Sequence, residues 1–598
     1  MGQEMDTQFE TNDIAIIGIS ARFAGADSKD EYWSNLVKGV ESISFMPDSM
    51  LKAERHLAEN PYYVPAAGLI RDYDHFDSTF FGIAPHIADM MTPEHRVFLE
   101  AAHDVMVDGG YHPDVMPDEV AVYAACNPQS VATYSPPPNW VTANDPILEH
   151  SQAWCPDALA PYTMYHLGLK GEAMTITAFC SSFHATVHFA CQSLLLGQTD
   201  MAIAGGVMVR LPHHRGYLWS PGKPLSRDGH CRPFDAQGTG AAVASGVSVL
   251  LLKPLGAAIR DRDHVYATIK GTAINNNGAQ SMGFSVLEPD RLGACIASAL
   301  TVAGLKGEDI SLLEAVGAGL PIFDTVEFQA SKLAFNTPQK KTCSLTAVKG
   351  NIGHTGVASG GAGVIKAALA LQSGIIPGTL NHQAPGEDID FPNSPFFIDR
   401  ETRPWEPASG IRRAGVNSIG GAGYNAHMVL EEAPPLAKRA ACTGLPRLFV
   451  VSAHSEASLR RQLEAIGARL AADPQLRMDD TAFTLGVGRR PMRFRWAVVA
   501  SDRSELLDAL QDGRALVSDV EAASNAGLPK SLVQTKEGIR LSRPEQRHER
   551  PVLEALAEAW RHGGSLDARA GFDEPQMRRV PLASYSYERR HHWRKYQM

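Results

Sequence analysis

The apolar positions fall in short, evenly spread runs, each about the length of a buried strand. IAIIGIS (14–20) comes first, followed by EVAVYAA (119–125), MAIAGGVMV (201–209), VSVLLLK (247–253), HVYATIKG (264–271) and HMVLEE (427–432). Between them the period changes to that of a helix, as in PEHRVFLEAAHDVMVDGG (93–110) and ATVHFACQSLLLGQ (185–198). Strands alternating with helices predict an α/β sheet arrangement. No short repeat of solenoid type interrupts it.

The pattern changes at APPLAKRAACTGLPR (433–447), where prolines followed by small and basic residues predict a linker over 435–446. A compact α/β subdomain is expected over 447–515. It has strand LFVVSA (448–453), helix 455–472 with Ser455 as its N-cap, a second helix near 479–489, strand RWAVVAS (495–501) and helix 504–511. Residues 516–550 are weakly patterned and predicted loop-rich. One helix is predicted over 545–564, ending at Gly563–Gly564. In the final strip (578–595) Val580, Leu582, Tyr585, Tyr587 and Trp593 interleave with basic residues, which predicts packing against the body rather than a solvated tail.

At 598 residues the chain is long enough for three or four domain-sized units. Its 55 basic and 66 acidic side chains give a net charge of −11, so it lacks the electrostatic footprint of a nucleic-acid binder. No apolar run approaches the ~18 residues that span a bilayer, and the polar, acidic start is neither a secretory signal nor a transit peptide. The eight cysteines include no C-x-x-C pair and no zinc-type spacing, which predicts reduced thiols, a cytoplasmic location and no metal.

Three segments could carry chemistry. In TITAFCSSFHATVHFACQ (175–192) an extended approach meets Cys180, and a helix begins just after it. A cysteine at such a turn feels the positive end of the helix dipole, and amides at the turn can accept an oxyanion. AVKGNIGHTGVASGGAG (347–363) holds Lys349 and His354 before a small-residue helix. RAGVNSIGGAGYNAH (413–427) is a glycine loop that permits close backbone approach to a ligand. Each alone is weak, since a free cysteine is usually a small buried hydrophobe and a lone histidine near glycines is usually structural.

Together they are specific. The chain resembles the β-ketoacyl synthase (ketosynthase) domains of modular polyketide synthases over about 13–434. The resemblance rests on IAIIGISARF, TAFCSS, AGGV (204–207), SRDGHCRPFDAQGTG (226–240), GTAINNNG (271–278), KGNIGHTGVASG (349–360) and NSIGGAGYNAHMVLEEAP (417–434). Residues 447–515 resemble the small linker subdomain that follows a ketosynthase, and 551–598 resemble the linker that returns along it. The resemblance implies an α/β thiolase fold, five αβαβα layers around two mixed sheets, which dimerises through a continuous sheet. It also implies Cys180 as nucleophile, His354 as a triad histidine and Lys349 as its supporting lysine. Substrates would arrive as thioesters on the phosphopantetheine arm of acyl carrier proteins, with no bound cofactor. Only a short connection stands where some relatives carry an acyltransferase, and no G-H-S-x-G motif occurs, so the resemblance is to synthases served by a free-standing acyltransferase (trans-AT).

The chain also departs from that pattern. The family's first triad histidine opens H-G-T-G-T, but EAVGAGLPIFDTVE (314–327) puts Val316 there, with Asp324 and Glu327 keeping the register. Valine offers neither donor nor acceptor. The oxyanion and pocket loop reads Gly420-Gly421-Ala422-Gly423-Tyr424-Asn425, with Gly421 as the expected amide donor, and D-P-Q-x-R becomes Met91-Thr92-Pro93-Glu94-His95-Arg96. The resulting expectation is a non-elongating ketosynthase: Cys180 takes an acyl chain from an upstream carrier protein and passes it to a downstream one without condensation. Two readings stand beside it. One is a condensing or chain-branching enzyme, and the other is a silent scaffold for dimerisation and docking to neighbouring synthase domains. Chain selectivity is expected to rest on loops such as 127–165, with its SPPPNW segment.

Overall fold

The computed structural model describes residues 12–47, 57, 59–127, 153–280, 283, 286–435, 439, 444–512, 517–520, 531–535, 538–567 and 576–593. The SPPPNW stretch and much of 435–446 lie outside the described residues.

Eleven strands share one hydrogen-bonded order. In chain order they are β1 (Ile14–Arg22), β2 (Val120–Cys126), β3 (Ala173–Thr175), β4 (Met201–Met208), β5 (Gly246–Pro254), β6 (Ala267–Asn276), β7 (Leu312–Glu314), β8 (Cys343–Thr346), β9 (Phe396–Phe397), β10 (Arg413–Ile419) and β11 (Tyr424–Glu432). Across the sheet the order is β9-β8-β7-β10-β11-β6-β1-β5-β4-β2-β3. Each half is mixed: β2 is parallel to β3 and β4, and β7 to β8 and β10, while β1, β5, β6 and β11 run antiparallel to their neighbours. The expected two sheets are thus two halves of one order, joined where Ile14–Ile16 pairs antiparallel with Ala267–Ile269. That junction is short because β1 continues along β5 after it leaves β6.

Helices lie outside and between the halves. α1 (Pro93–Asp108) and α2 (Leu159–Leu167) cover the outer face of the first half, and α3 (Ser182–Leu195) packs on its inner face. α4 (Pro289–Val302) and α5 (Pro321–Phe335) cover the outer face of the second half. α6 (Ser359–Ser373) lies on that half's inner face and against α3. The result is five αβαβα layers. Alternation fits this: Ile14 and Ile16 join the central apolar cluster, whereas Ala15 and Ile17 join the outer one beneath α1. α6 can approach so closely because Gly361 has no side chain; a Cβ there would meet Ser248 Oγ at 2.0 Å.

After residue 446, β12 (Arg447–Ala453), β13 (Phe494–Ala500) and β14 (Val517–Asp519) form a small antiparallel sheet. Around it lie α7 (Glu456–Ala472), α8 (Met478–Val487), α9 (Arg503–Gln511) and α10 (Arg550–Arg561). Ser455 caps α7, its hydroxyl accepting from Ser458 N at 3.1 Å. α10 is shorter than the helix expected over 545–564. Pro551 sits in its first turn, where a missing N–H is harmless, and Pro544–Gln546 forms a separate turn.

Phe449 and Val451 of β12 share one apolar cluster with Ala15 and Phe98 of the body. The C-terminal strip runs over this junction. The Arg579 guanidinium donates to Gly110 O at 3.0 Å and Asp261 O at 2.8 Å, and Val580 N donates to Thr484 Oγ1 at 3.0 Å. Tyr587 Oη donates to Asp104 Oδ1 at 3.0 Å, and Arg590–His591 pairs antiparallel with His75–Phe76. No helix among the described residues is long and apolar enough to cross a membrane.

Candidate active site

Cys180 stands between the edge strand β3 and α3. Its turn is closed by Ala178 N donating to Ser182 Oγ at 2.8 Å, Ser182 Oγ donating to Phe179 O at 2.6 Å and Ser181 N donating to Ala178 O at 3.1 Å. Phe179 takes a φ of +51°, which a bulky side chain rarely adopts. The thiol is half-buried at the start of α3.

His354 lies 174 positions away in sequence, yet its Nε2 is 3.2 Å from Cys180 Sγ. It sits past a short helical turn, Lys349–Ile352, and its backbone N–H donates to Ala242 O at 2.8 Å. Nδ1 is 3.3 Å from Ser359 Oγ. Burial, with the Lys349 cation adding, pushes the imidazole pKa down to about 3, so the ring is neutral. With the thiol donating to Nε2, the ring's own proton resides on Nδ1, facing Ser359.

Burial also raises the Cys180 pKa. The Lys349 charge opposes that, as do the nearby backbone N–H groups of Gly421 and of Cys180 itself. The resting pair is therefore a neutral thiol against a neutral imidazole, with two amides beside the sulfur. Such amides can hold an oxyanion that forms at an attached carbonyl.

Gly421 belongs to a tight turn, Gly421–Gly423, between β10 and β11. Ala422 adopts a φ of +58°, and its carbonyl accepts from Asn276 Nδ2 at 2.8 Å. The Asn425 amide is spent on Asn275 Oδ1 at 2.9 Å and Asn277 Oδ1 at 2.7 Å. Asn425 therefore braces the loop from behind and does not reach the thiol.

Val316 follows β7. Its backbone N–H and that of Gly317 both donate to the Glu327 carboxylate, at 2.7 and 2.9 Å, and Asn417 Nδ2 adds a third hydrogen bond at 3.0 Å. This clamp turns the Val316 carbonyl toward Lys349, whose Nζ donates to it at 2.6 Å. Asp324 accepts from Phe234 N at 2.7 Å, and burial raises its pKa to about 8. Glu327 is raised for the same reason. Deeper still, His427 Nδ1 lies 2.7 Å from Asn417 Oδ1.

The structure thus brings Cys180, His354, Lys349 and Gly421 together, with the Val316 loop held behind Lys349. Two features escape the sequence pattern. Phe179 carries no signal of its own, although it adjoins the nucleophile. The Asn417–His427 pair is equally silent, although both residues lie in the glycine-loop run. The Met91–Arg96 run proves architectural: Thr92 caps α1 and the fully buried Arg96 donates to Ala88 O at 2.9 Å. Among the described residues no histidine, cysteine and carboxylate cluster could hold a metal ion.

Residues 11–258 match the β-ketoacyl synthase N-terminal domain, 266–383 the β-ketoacyl synthase C-terminal domain, and 450–515 the RhiE-like, KS-MAT linker domain. A phenolphthiocerol/phthiocerol polyketide synthase protein of Mycobacterium tuberculosis is 37% identical over 517 residues, covering 84% of the chain. The polyketide synthase PksN of Bacillus subtilis is 30% identical over 595 residues, covering 97% of the chain. The chain spans only 34% of the former's length and 11% of the latter's. Ketosynthase twelve of the bacillaene polyketide synthase of Bacillus amyloliquefaciens superposes with a TM-score of 0.86 at 29% identity, covering 98% of this chain and 100% of that one. The ketosynthase from module 6 of the Bacillus subtilis bacillaene synthase gives 0.82 at 30% identity, covering 97% and 100%. By motif, architecture and these matches, the chain belongs to the β-ketoacyl synthase family.

Proposed function

We propose that this ketosynthase is a non-elongating acyl-transfer enzyme of a polyketide synthase whose acyltransferase is free-standing. The observation that carries the reading is the contrast between a complete Cys180–His354 pair at 3.2 Å and an aliphatic Val316 where an elongating relative has a second histidine. In the transfer, Cys180 Sγ attacks the thioester carbonyl of an acyl chain on a carrier protein's phosphopantetheine arm, and its proton moves to His354 Nε2. The amides of Cys180 and Gly421 hold the oxyanion. The carbon–sulfur bond to the pantetheine then breaks, and the departing thiolate takes the proton back from His354. Reversal onto a second carrier protein completes the transfer. No step needs a bound cofactor or a metal. Condensation would further require donors over the malonyl carboxylate and the enolate, and valine supplies none.

The same reading divides the chain into a ketosynthase domain (13–434), a linker (435–446), a small α/β subdomain (447–515), a connection (516–550) and a returning helix and strip (551–598). It makes the protein a cytoplasmic homodimer that serves upstream and downstream acyl carrier proteins and neighbouring synthase domains. A dimer is supported by β3, which ends the sheet among the described residues, and by exposed Met174, Leu195 and Leu196.

The test is to incubate the protein with an acyl-carrier protein and look for the acyl mass on the Cys180 peptide, then add malonyl-carrier protein. The expected result is full loading of Cys180, none in Cys180→Ala, and no lengthened product. A β-ketoacyl product at the rate of a two-histidine relative would replace this reading with the condensing one. The buried Lys349 ammonium, which acts on both Cys180 and His354, favours that second reading.

A further inference from the structure

We infer that Phe179 and Tyr424 form an aromatic wall that sorts acyl chains by the carbons next to the thioester, favouring flat, apolar enoyl chains over β-hydroxylated ones. The inference rests on the acyl-transfer reading of Cys180. Phe179 immediately precedes the nucleophile, and the hydrogen bonds that close the Cys180 turn fix its backbone at a φ of +51°. Its side chain is thereby thrown outward. Phe179 is 56% exposed, which is unusual for a phenylalanine beside a half-buried thiol.

The ring lies over the loop that supplies one of the two amides near the sulfur. A Cβ at Gly421 would sit 3.3 Å from Phe179 Cδ1 and 3.4 Å from its Cγ, so the ring lies in tight contact with the face of residue 421. The Tyr424 ring, from the other end of the same turn, stands 6.4 Å away at 40° to it. Ala422 between them is held in place by Asn276.

A carbonyl on Cys180 whose oxygen turned toward the Gly421 amide would bring its first carbons toward the turn that the Phe179 ring lies against. An sp²-hybridised Cα=Cβ unit is flat and packs face-on against an aromatic ring. A β-hydroxyl at that place must give up water against a ring face that returns no hydrogen bond. Apolar pockets reject an added hydroxyl by about a hundredfold at most, so selection of about tenfold to a hundredfold is the scale to expect.

The experiment compares Cys180 acylation by crotonyl and 3-hydroxybutyryl N-acetylcysteamine thioesters, with the acetyl thioester alongside, each read as adduct mass against time. In the unmodified protein crotonyl is expected to load at least about tenfold faster than 3-hydroxybutyryl. In Phe179→Leu and Tyr424→Leu, which keep an apolar surface but remove a ring, that ratio is expected to fall toward one. A ratio near one in the unmodified protein overturns the inference without any variant, as does an unchanged ratio in both variants. Acetyl loading with no crotonyl preference sinks the wall alone. Failure of every thioester to label Cys180 sinks the acyl-transfer reading beneath it.

Discussion

The two sides of the site are built differently. On the nucleophile side, one side chain faces the sulfur, His354 Nε2 at 3.2 Å, with the Gly421 and Cys180 amides nearby. On the Val316 side the backbone does the facing. Glu327 ties down two N–H groups, Lys349 holds a carbonyl, and the side chain that remains is aliphatic. The buried Glu327 carboxylate and the lysine hold the Val316 loop through its backbone, and the valine side chain offers no donor. Architecture and chemistry can therefore separate within one site, because a loop clamped through its backbone tolerates a changed side chain.

The largest way to break this contrast is through His354. His354→Gln keeps a polar side chain but removes the base, and acylation of Cys180 is expected to slow by about 10²–10³. A stopped-flow or quenched-flow mass assay reads this directly, and a loss of less than threefold would show that the nucleophile side does not depend on it. Next in size is Val316→His. It should raise β-ketoacyl product by less than about tenfold, since sites that act as a unit do not add. A gain to the rate of a two-histidine relative, measured with malonyl-carrier protein, would mean that the loop lacked only this one group.

The smallest effect concerns the shape of a curve. His354 stays neutral down to about pH 3, and the Cys180 thiol is raised. Because neutral His354 takes the thiol proton during attack, the acylation rate should be flat between pH 5 and 7 and rise only in the alkaline range, where the thiol itself ionises. An inflection near 6.5 would place an ordinary imidazole in the pair.

The central strands are legible in the sequence because they are buried on both faces and read as unbroken apolar runs, β1 and β5 most clearly. β7, β8 and β9 are not. They are only two to four residues long, and the buried polar groups of β7 and β8 spoil the apolar signal. Glu314 at the end of β7 pairs with Lys366 of α6 at 2.7 Å inside the core, and Thr346 of β8 donates to the same carboxylate at 2.6 Å. Nothing in the spacing of Cys180 and His354 foretells their meeting; family likeness suggests it. Phe179 goes unremarked because a strand-like TITAF run hides the one residue whose backbone is left-handed. Asn425 reads as part of the pocket, and its amide serves instead to hold the loop to Asn275 and Asn277.

The C-terminal strip has a consequence for the order of assembly. Tyr587 meets Asp104 across 483 positions of sequence, and Arg579 meets Gly110 across 469. On a ribosome adding ~5–20 residues per second, roughly half a minute to a minute and a half separates the emergence of α1 from that of the segment that covers it. Through that interval Phe80, Phe81 and His103, which the strip's tyrosines stack upon, face solvent. The body must then stay folded with this apolar patch uncovered. A chain halted before residue 576 would keep it open indefinitely, as a surface for self-association or a chaperone.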